Sequence, residues 1–184
     1  MSAPLTRTDY KDGRIFTLSP VLSAAERREF IDWSEAQGFD FAPVTTGLGM
    51  IPMPHVRNNN RVMVDDVPRA EGLWARIREG LPEIPGVEYV GLNERLRVYR
   101  YQPGQYFKRH LDGAYHRGAK EFSIFTLLVW LNDDYQGGET RFGGLSFSPT
   151  AGDALLFAHR QLHEGDTVLE GVKYMLRTDV MVRV

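Results

Sequence analysis

The sequence predicts an α+β fold in which a helical N-terminal layer packs on an antiparallel β-sandwich or barrel. Three observations carry that prediction. Two segments before Pro82 combine helix-capping residues with an apolar stripe at helical spacing. From Glu88 onward the texture changes to short alternating runs. Gly- and Pro-rich turns separate those runs with no helix between them, which favours antiparallel strands over parallel crossover units.

Taken in order, Ser19-Pro20 opens the first helix, which runs to about Gln37. Ser23-Ala24-Ala25-Glu26 has the capping-box pattern, in which the Ser and Glu side chains satisfy orphan backbone donors reciprocally. Phe30, Ile31 and Trp33 form its apolar stripe, and Gly38 stops it. Residues 42–60, rich in Pro, Gly and Asn, read as a long loop or a pair of ragged strands. Pro68 starts a second helix to about Leu81, with Leu73, Trp74 and Ile77 on its apolar face, and Pro82 and Pro85 end it. Leu96–Tyr101 and much of Phe122–Leu131 alternate, while Gly152–Phe157 and Lys173–Val184 are also strand-like. Within the second of these, Phe125, Leu127 and Val129 face the core, and Thr126, Leu128 and Trp130 face the opposite, pocket side. Turn signals at Pro103-Gly104, Gly137-Gly138, Gly143-Gly144, Pro149 and Gly171 punctuate the strands. The expectation is one domain over residues 1–184: a helical layer over about 19–81 and a β core over about 88–184.

Composition narrows the function classes. A chain of 184 residues buries roughly 70% of its unfolded surface, enough for a core without staples. Lys and Arg total 22 against 24 Asp and Glu, a net charge of -2, which argues against general nucleic-acid binding. Cysteine is absent, so disulfide frameworks, thiolate metal sites and cysteine nucleophiles are excluded. The polar stretch Met1–Gly13 has no apolar run of signal-peptide length. The longest apolar run, Phe122–Leu131, is interrupted by Ser123 and Thr126 and is too short to cross a bilayer as a helix. The chain reads as cytoplasmic, with no membrane partner.

The chemistry concentrates in Tyr101-Gln-Pro-Gly-Gln-Tyr-Phe-Lys-Arg-His110-Leu-Asp112. Residues two apart on a strand face the same way, so His110 and Asp112 converge while Leu111 points oppositely. An imidazole and a carboxylate side by side supply two-thirds of a facial triad suited to non-haem Fe(II). His163, in Leu-His-Glu-Gly-Asp, supplies a third ligand. A following strand presents Lys173, Met175 and Arg177 on one face. A metal with a buried cation at some distance suits a small dicarboxylate that chelates through one end. His159 lies four residues before His163 but lacks the adjacent Glu of a zinc-protease helix, and His55 and His116 fall in irregular, exposed stretches.

From about residue 95 to the C-terminus the chain resembles the 2-oxoglutarate, Fe(II)-dependent oxygenases, particularly their prolyl 4-hydroxylase-like branch. The residues that carry the resemblance are Tyr101-Gln-Pro-Gly, His110-Leu-Asp112, Leu131-Asn132, Gly137-Gly-Glu-Thr140, Gly152-Asp-Ala-Leu155, His163 and Lys173. The resemblance implies a double-stranded β-helix, or jelly roll, with supporting N-terminal helices. It implies Fe(II) held by His110, Asp112 and His163, and 2-oxoglutarate and O2 as cosubstrates. Lys173 would pair with the far carboxylate of 2-oxoglutarate, helped by the hydroxyls of Tyr101 and Thr140. Arg177 is a rival clamp, but at ~3.3 Å per residue it sits about 13 Å along the strand from Lys173, which favours Lys173.

Two positions depart from the peptide-hydroxylating relatives, Phe107 where they carry Tyr and Ser123 where they carry Arg. Both departures weaken a peptidyl-proline assignment. The implied activity is hydroxylation of a peptidyl residue or a small molecule. Arg57, Asn60 and Arg61 occupy the place of a loop that covers the substrate. The alternatives are a cupin- or lectin-like jelly roll that grips a ligand through its metal without turnover, and a zinc hydrolase.

Overall fold

The computed structural model describes residues 4–148 and 150–184, with Thr45 described by its backbone alone. The expected turn residue Pro149 and the start of the polar N-terminal stretch, residues 1–3, lie outside the described residues.

The chain opens with a hairpin, β1 (Thr6–Tyr10) and β2 (Ile15–Ser19), followed by helix α1 (Ala24–Gln37). Short strands β3 (Asp40–Phe41), β4 (Val44–Thr46), β5 (Gly49–Ile51) and β6 (Asn60–Asp65) lead to helix α2 (Val67–Ile77) and a 3-10 turn at Arg78–Gly80. The β-rich part comprises β7 (Glu88–Leu92), β8 (Arg95–Tyr101), β9 (Phe107–His110), β10 (Glu121–Trp130), β11 (Gln136–Gly137) and β12 (Thr140–Phe142). It continues through β13 (Leu145–Phe147), β14 (Ala154–Ala158), β15 (His163–Gly165), β16 (Val168–Glu170) and β17 (Lys173–Arg183).

A large antiparallel sheet runs in the order β1-β2-β14-β10-β17-β8-β6-β3, with β7 pairing the far end of β17. A smaller sheet, β13-β12-β15-β9, forms the second layer. Both helices cover the outer face of the large sheet, where Phe30, Leu73 and Ile77 meet Val98, Leu127 and Leu176. The inner face packs Leu128, Trp130, Phe157 and Met175 against Phe142 and Phe147 of the smaller sheet. The alternation in β10 therefore separates two cores, Leu127 and Val129 on the helix side and Leu128 and Trp130 between the sheets.

Three expectations need correction. The N-terminal layer is not purely helical. Ile15 and Phe16 are both fully buried on opposite faces of β2, which fits a strand inside a sheet and not an amphipathic helix. Helix α1 starts at Ala24 because Ser19 still pairs as strand; Ser23 Oγ accepts from the Glu26 amide and the Glu26 carboxylate accepts from the Ser23 amide. The stretch 42–60 holds the expected pair of ragged strands, β4 and β5, but the segment carrying Arg57, Asn60 and Arg61 is not a free covering loop. Only the β4–β5 hairpin pairs with itself, whereas β6 adds six residues of register to β8. Between them, the Lys108 amide donates to Val56 O, the Asn58 amide to Tyr106 O and the Tyr106 amide to Asn58 Oδ1, tying 56–58 to the edge of β9.

Candidate active site

His110 and His163 are direct partners across the β9–β15 register, so both rings leave the small sheet on the same side. Asp112, two residues beyond His110, joins them just past the end of β9. His110 Nε2 lies 3.7 Å from Asp112 Oδ1, and His163 Nε2 lies 3.7 Å from Asp112 Oδ2. One ligand atom from each residue falls within 4.8 Å of the other two.

Backbone carbonyls fix the tautomers. His110 Nδ1 faces Lys108 O at 2.8 Å and His163 Nδ1 faces Gln161 O at 2.9 Å. A carbonyl only accepts, so each Nδ1 carries the proton and each Nε2 presents a lone pair to the shared centre. Burial holds the His110 imidazole down at about 3, aided by the neighbouring His163, and burial also lowers His163. Both rings are therefore neutral near pH 7. Phe107 stacks on His110 with ring centroids 3.5 Å apart, which fixes the ring plane.

Asp112 is oriented from behind. Burial opposes its charge, but Arg177 and the two imidazoles more than offset it and hold the carboxyl well below the usual range. Arg177 Nη2 lies 3.1 Å from Oδ1, and Thr126 Oγ1 donates to Oδ2 at 2.7 Å. Thr126 Oγ1 is in turn 3.1 Å from His159 Nδ1, His159 Nε2 is 2.7 Å from Ser123 Oγ, and the Tyr115 amide donates to Ser123 Oγ at 2.8 Å. Only one direction satisfies every member: Ser123 donates to His159 Nε2, His159 Nδ1–H donates to Thr126, and Thr126 donates to Asp112. His159 is buried, and that burial lowers its pKa and keeps it neutral, as the chain requires.

Lys173 and Arg177 sit on the same face of β17 but in different company. Arg177 is held by Asp112, by Asp179 at 3.5 Å and by the Tyr99 hydroxyl, to which Nη1 donates at 3.3 Å. Lys173 is 1% exposed and forms no ion pair among the described residues. Its Nζ donates to Gly138 O at 2.7 Å and lies 5.0 Å from the ring centroid of Tyr101, its cross-strand partner. Burial pushes the Lys173 ammonium down to about 7 despite Glu139 and Asp166 nearby. Tyr101 is also buried, and Thr140 Oγ1 is buried with no hydrogen-bond partner among the described residues. These three and the triad line one cleft, partly open to solvent.

The donor set fits a divalent iron ion: two neutral imidazoles and one carboxylate converge from one side. A buried unpaired ammonium and an orphaned hydroxyl in the same cleft fit a small dianion beside it. Arg57, expected in a covering loop, is 3% exposed instead, with its guanidinium 4.5 Å from the Tyr99 ring and 4.4 Å from the Phe107 ring. Asn60 and Arg61 lie on β6, where they pair with Arg100 and Tyr99 of β8. Sequence reasoning passed over Ser123, Thr126 and His159 as supports of Asp112. The strand alternation that put Thr126 on the pocket side was the available signal. The exposed His55 and His116 do not join the cleft.

Residues 96–178 match the profile of the 2OG-Fe(II) oxygenase superfamily. The chain is 34% identical over 160 residues to prolyl 4-hydroxylase 1 of Arabidopsis thaliana, covering 71% of this chain and 55% of the relative. It is 27% identical over 169 residues to a PKHD-type hydroxylase of Acaryochloris marina, covering 86% of this chain and 74% of the relative. It thus spans about half the length of the Arabidopsis protein. Among solved structures, the viral collagen prolyl hydroxylase of Paramecium Bursaria Chlorella virus-1, in its 2OG complex, superposes with a TM-score of 0.68 at 22% identity. That match covers 93% of this chain and 97% of the viral one, and it places the two opposed sheets in the jelly-roll fold.

Proposed function

We propose that this chain, a member of the 2OG-Fe(II) oxygenase superfamily, couples oxidative decarboxylation of 2-oxoglutarate to hydroxylation of a peptidyl residue or a small molecule. The observation that carries the reading is Lys173: a buried ammonium with no carboxylate partner among the described residues, in the cleft that also holds two neutral imidazoles and one carboxylate. A metal-only binding module or a zinc hydrolase has no use for that cation.

His110, Asp112 and His163 would hold Fe(II), which when bound supplies the activation of O2. The two Nε2 lone pairs are pre-oriented by the carbonyls of Lys108 and Gln161, so little reorganisation accompanies binding. Asp112 supplies the triad's only negative charge, and Thr126 and Arg177 hold its oxygens in place. Lys173, with the hydroxyls of Tyr101 and Thr140, would take the far carboxylate of 2-oxoglutarate. Leu128 and Met175 line the cleft between and keep water from the reacting end. Residues 1–184 act as a single domain in this reading, because the large sheet takes part in both cores, one under the helices and one against the smaller sheet. The cysteine-free composition suits work in a reducing cytoplasm, and no helix among the described residues is long and apolar enough to cross a membrane.

The test is product analysis. Protein supplied with Fe(II), 2-oxoglutarate and O2 should convert a component of cell extract to a product heavier by one oxygen atom, with succinate formed in step. Succinate production that is absent with and without extract, in folded and iron-loaded protein, would refute the proposal.

A further inference from the structure

Beside the cleft, positive charge outnumbers negative among the described residues. Arg57, Arg61, Arg97 and Arg177 gather around Tyr99, and Arg61 feels the other three. Burial alone would raise the Tyr99 hydroxyl, yet Arg177, Arg57 and Arg97 bring it down to about 7. Two carboxylates face this group. Asp179 serves Arg97 at 3.2 Å and Arg177 at 3.5 Å, and Asp112 is committed to Arg177 and the two imidazoles. Fe(II) and 2-oxoglutarate bring equal and opposite charges, so their arrival leaves the excess in place.

The two arginines left over are Arg57 and Arg61. Arg57 is only 3% exposed, donates Nε–H to Asn59 Oδ1 at 2.7 Å, and has its Nη2 buried with no hydrogen-bond partner among the described residues. A cation so buried and so poorly paired is costly unless an anion visits it. Arg61 is half-buried, and its one side-chain hydrogen-bond acceptor among the described residues is Met50 Sδ at 3.4 Å, a weak one. Its cross-strand neighbour Asp40 forms no ion pair with it among the described residues. The register sets Arg61 opposite Tyr99, and Tyr99 opposite Met175, both of which line the cleft. At ~4.8 Å per strand, Arg61 on β6 stands about 10 Å from β17, the strand that carries Met175 and Arg177.

We propose that Arg61 and Arg57 form an oxyanion subsite for the substrate, so that the molecule hydroxylated carries a carboxylate or phosphate group at a distance from the reacting carbon. This rests on the hydroxylase reading and narrows its substrate class. Arg61 supplies an accessible planar fork, and Arg57, clamped between Tyr99 and Phe107, supplies a fixed charge behind it.

The experiment is calorimetric titration of the full chain, loaded anaerobically with Fe(II) and 2-oxoglutarate, with matched probes: straight-chain and aromatic carboxylic acids, their primary amides, and the corresponding phosphate monoesters. At least one acid or phosphate should bind about tenfold or more tightly than its amide, the discrimination expected of a charged hydrogen-bonded pair. The preferred anion names the head group. Arg61→Gln should remove that preference, and Arg57→Gln should weaken it. If Arg57→Gln does not fold, Arg57→Lys, which keeps the charge but loses the fork, should reduce the preference in part. Amides binding as tightly as anions, no probe binding at all, or a preference that survives Arg61→Gln would each overturn the subsite. The 2-oxoglutarate isotherm recorded during loading separates the two failures: its absence refutes the hydroxylase reading, and its presence without anion preference refutes the subsite alone.

Discussion

Lys173 and Arg177 share a strand face and a charge, and only their surroundings tell them apart. Arg177 is paired with Asp112, Asp179 and Tyr99, whereas Lys173 has, among the described residues, a single carbonyl as its hydrogen-bond acceptor. Lys173→Ala should therefore weaken 2-oxoglutarate binding by about two to three orders of magnitude, the cost of leaving a buried carboxylate unpaired, with Fe(II) affinity nearly intact. Arg177→Ala should do the reverse and loosen the metal, because it strips Asp112 of its cation. Competition against a chelator, run beside 2-oxoglutarate titration, separates the two. Lys173 also links binding to pH. With its ammonium brought down to about 7, the free protein holds a neutral amine above that pH. A bound carboxylate restores the charge, so the complex takes up a proton that the free protein lacks. Affinity should then fall about tenfold per pH unit above 7 and be flat below it. Calorimetry in buffers of different ionisation enthalpy should find uptake of about one proton at pH 8 and almost none at pH 6. The two-residue spacing of His110 and Asp112 was legible as a convergence of side chains, and the structure keeps it although Asp112 lies just past the end of β9. Ser123, Thr126 and His159 were not legible, because hydroxyl and imidazole supports have no spacing of their own and acquire meaning only when β10 is placed against β14.

At the scale of elements, the legible ones were those with a period or a cap. The capping box at Ser23, the alternation of β8 and β10 and the apolar face of α2 all formed where the pattern put them. The β1–β2 hairpin and β6 did not announce themselves. β2 is buried on both faces and so does not alternate, and β6 carries Asn, Arg and Asp on an edge-proximal strand whose stability comes from pairing with β8. Turn glycines were easier, and one bears a sharp prediction. Gly152, at φ +96, donates its amide to Trp130 O while its carbonyl accepts from the amides of Val21 and Leu22. A Cβ there would overlap the Leu22 carbonyl oxygen. Gly152→Ala should cost more than ~1 kcal/mol, since strain in the left-handed region adds to the clash. Reversible denaturation of the variant against the native chain measures it. A loss within a few tenths of a kcal/mol would mean that the β14 entry relaxes freely.

For the whole molecule, the division of labour follows from the two faces of one sheet. The outer face buries apolar side chains under α1 and α2, and the inner face carries Thr126, Lys173, Met175, Arg177 and Asp179 toward the smaller sheet that contributes His110 and His163. The site is thus assembled from two layers, with rigid strands on both sides. Its central claim is that His110, Asp112 and His163 bind Fe(II) in a cleft where Lys173 receives 2-oxoglutarate. Anaerobic absorption spectroscopy addresses that claim most directly. Fe(II) and 2-oxoglutarate added together to the native protein should produce a weak visible charge-transfer band that neither produces alone, and the band should vanish in His163→Ala and Asp112→Ala while the variants still melt cooperatively. A folded native protein that gives no band at saturating Fe(II) and 2-oxoglutarate, or a band that persists unchanged in both variants, would contradict the account.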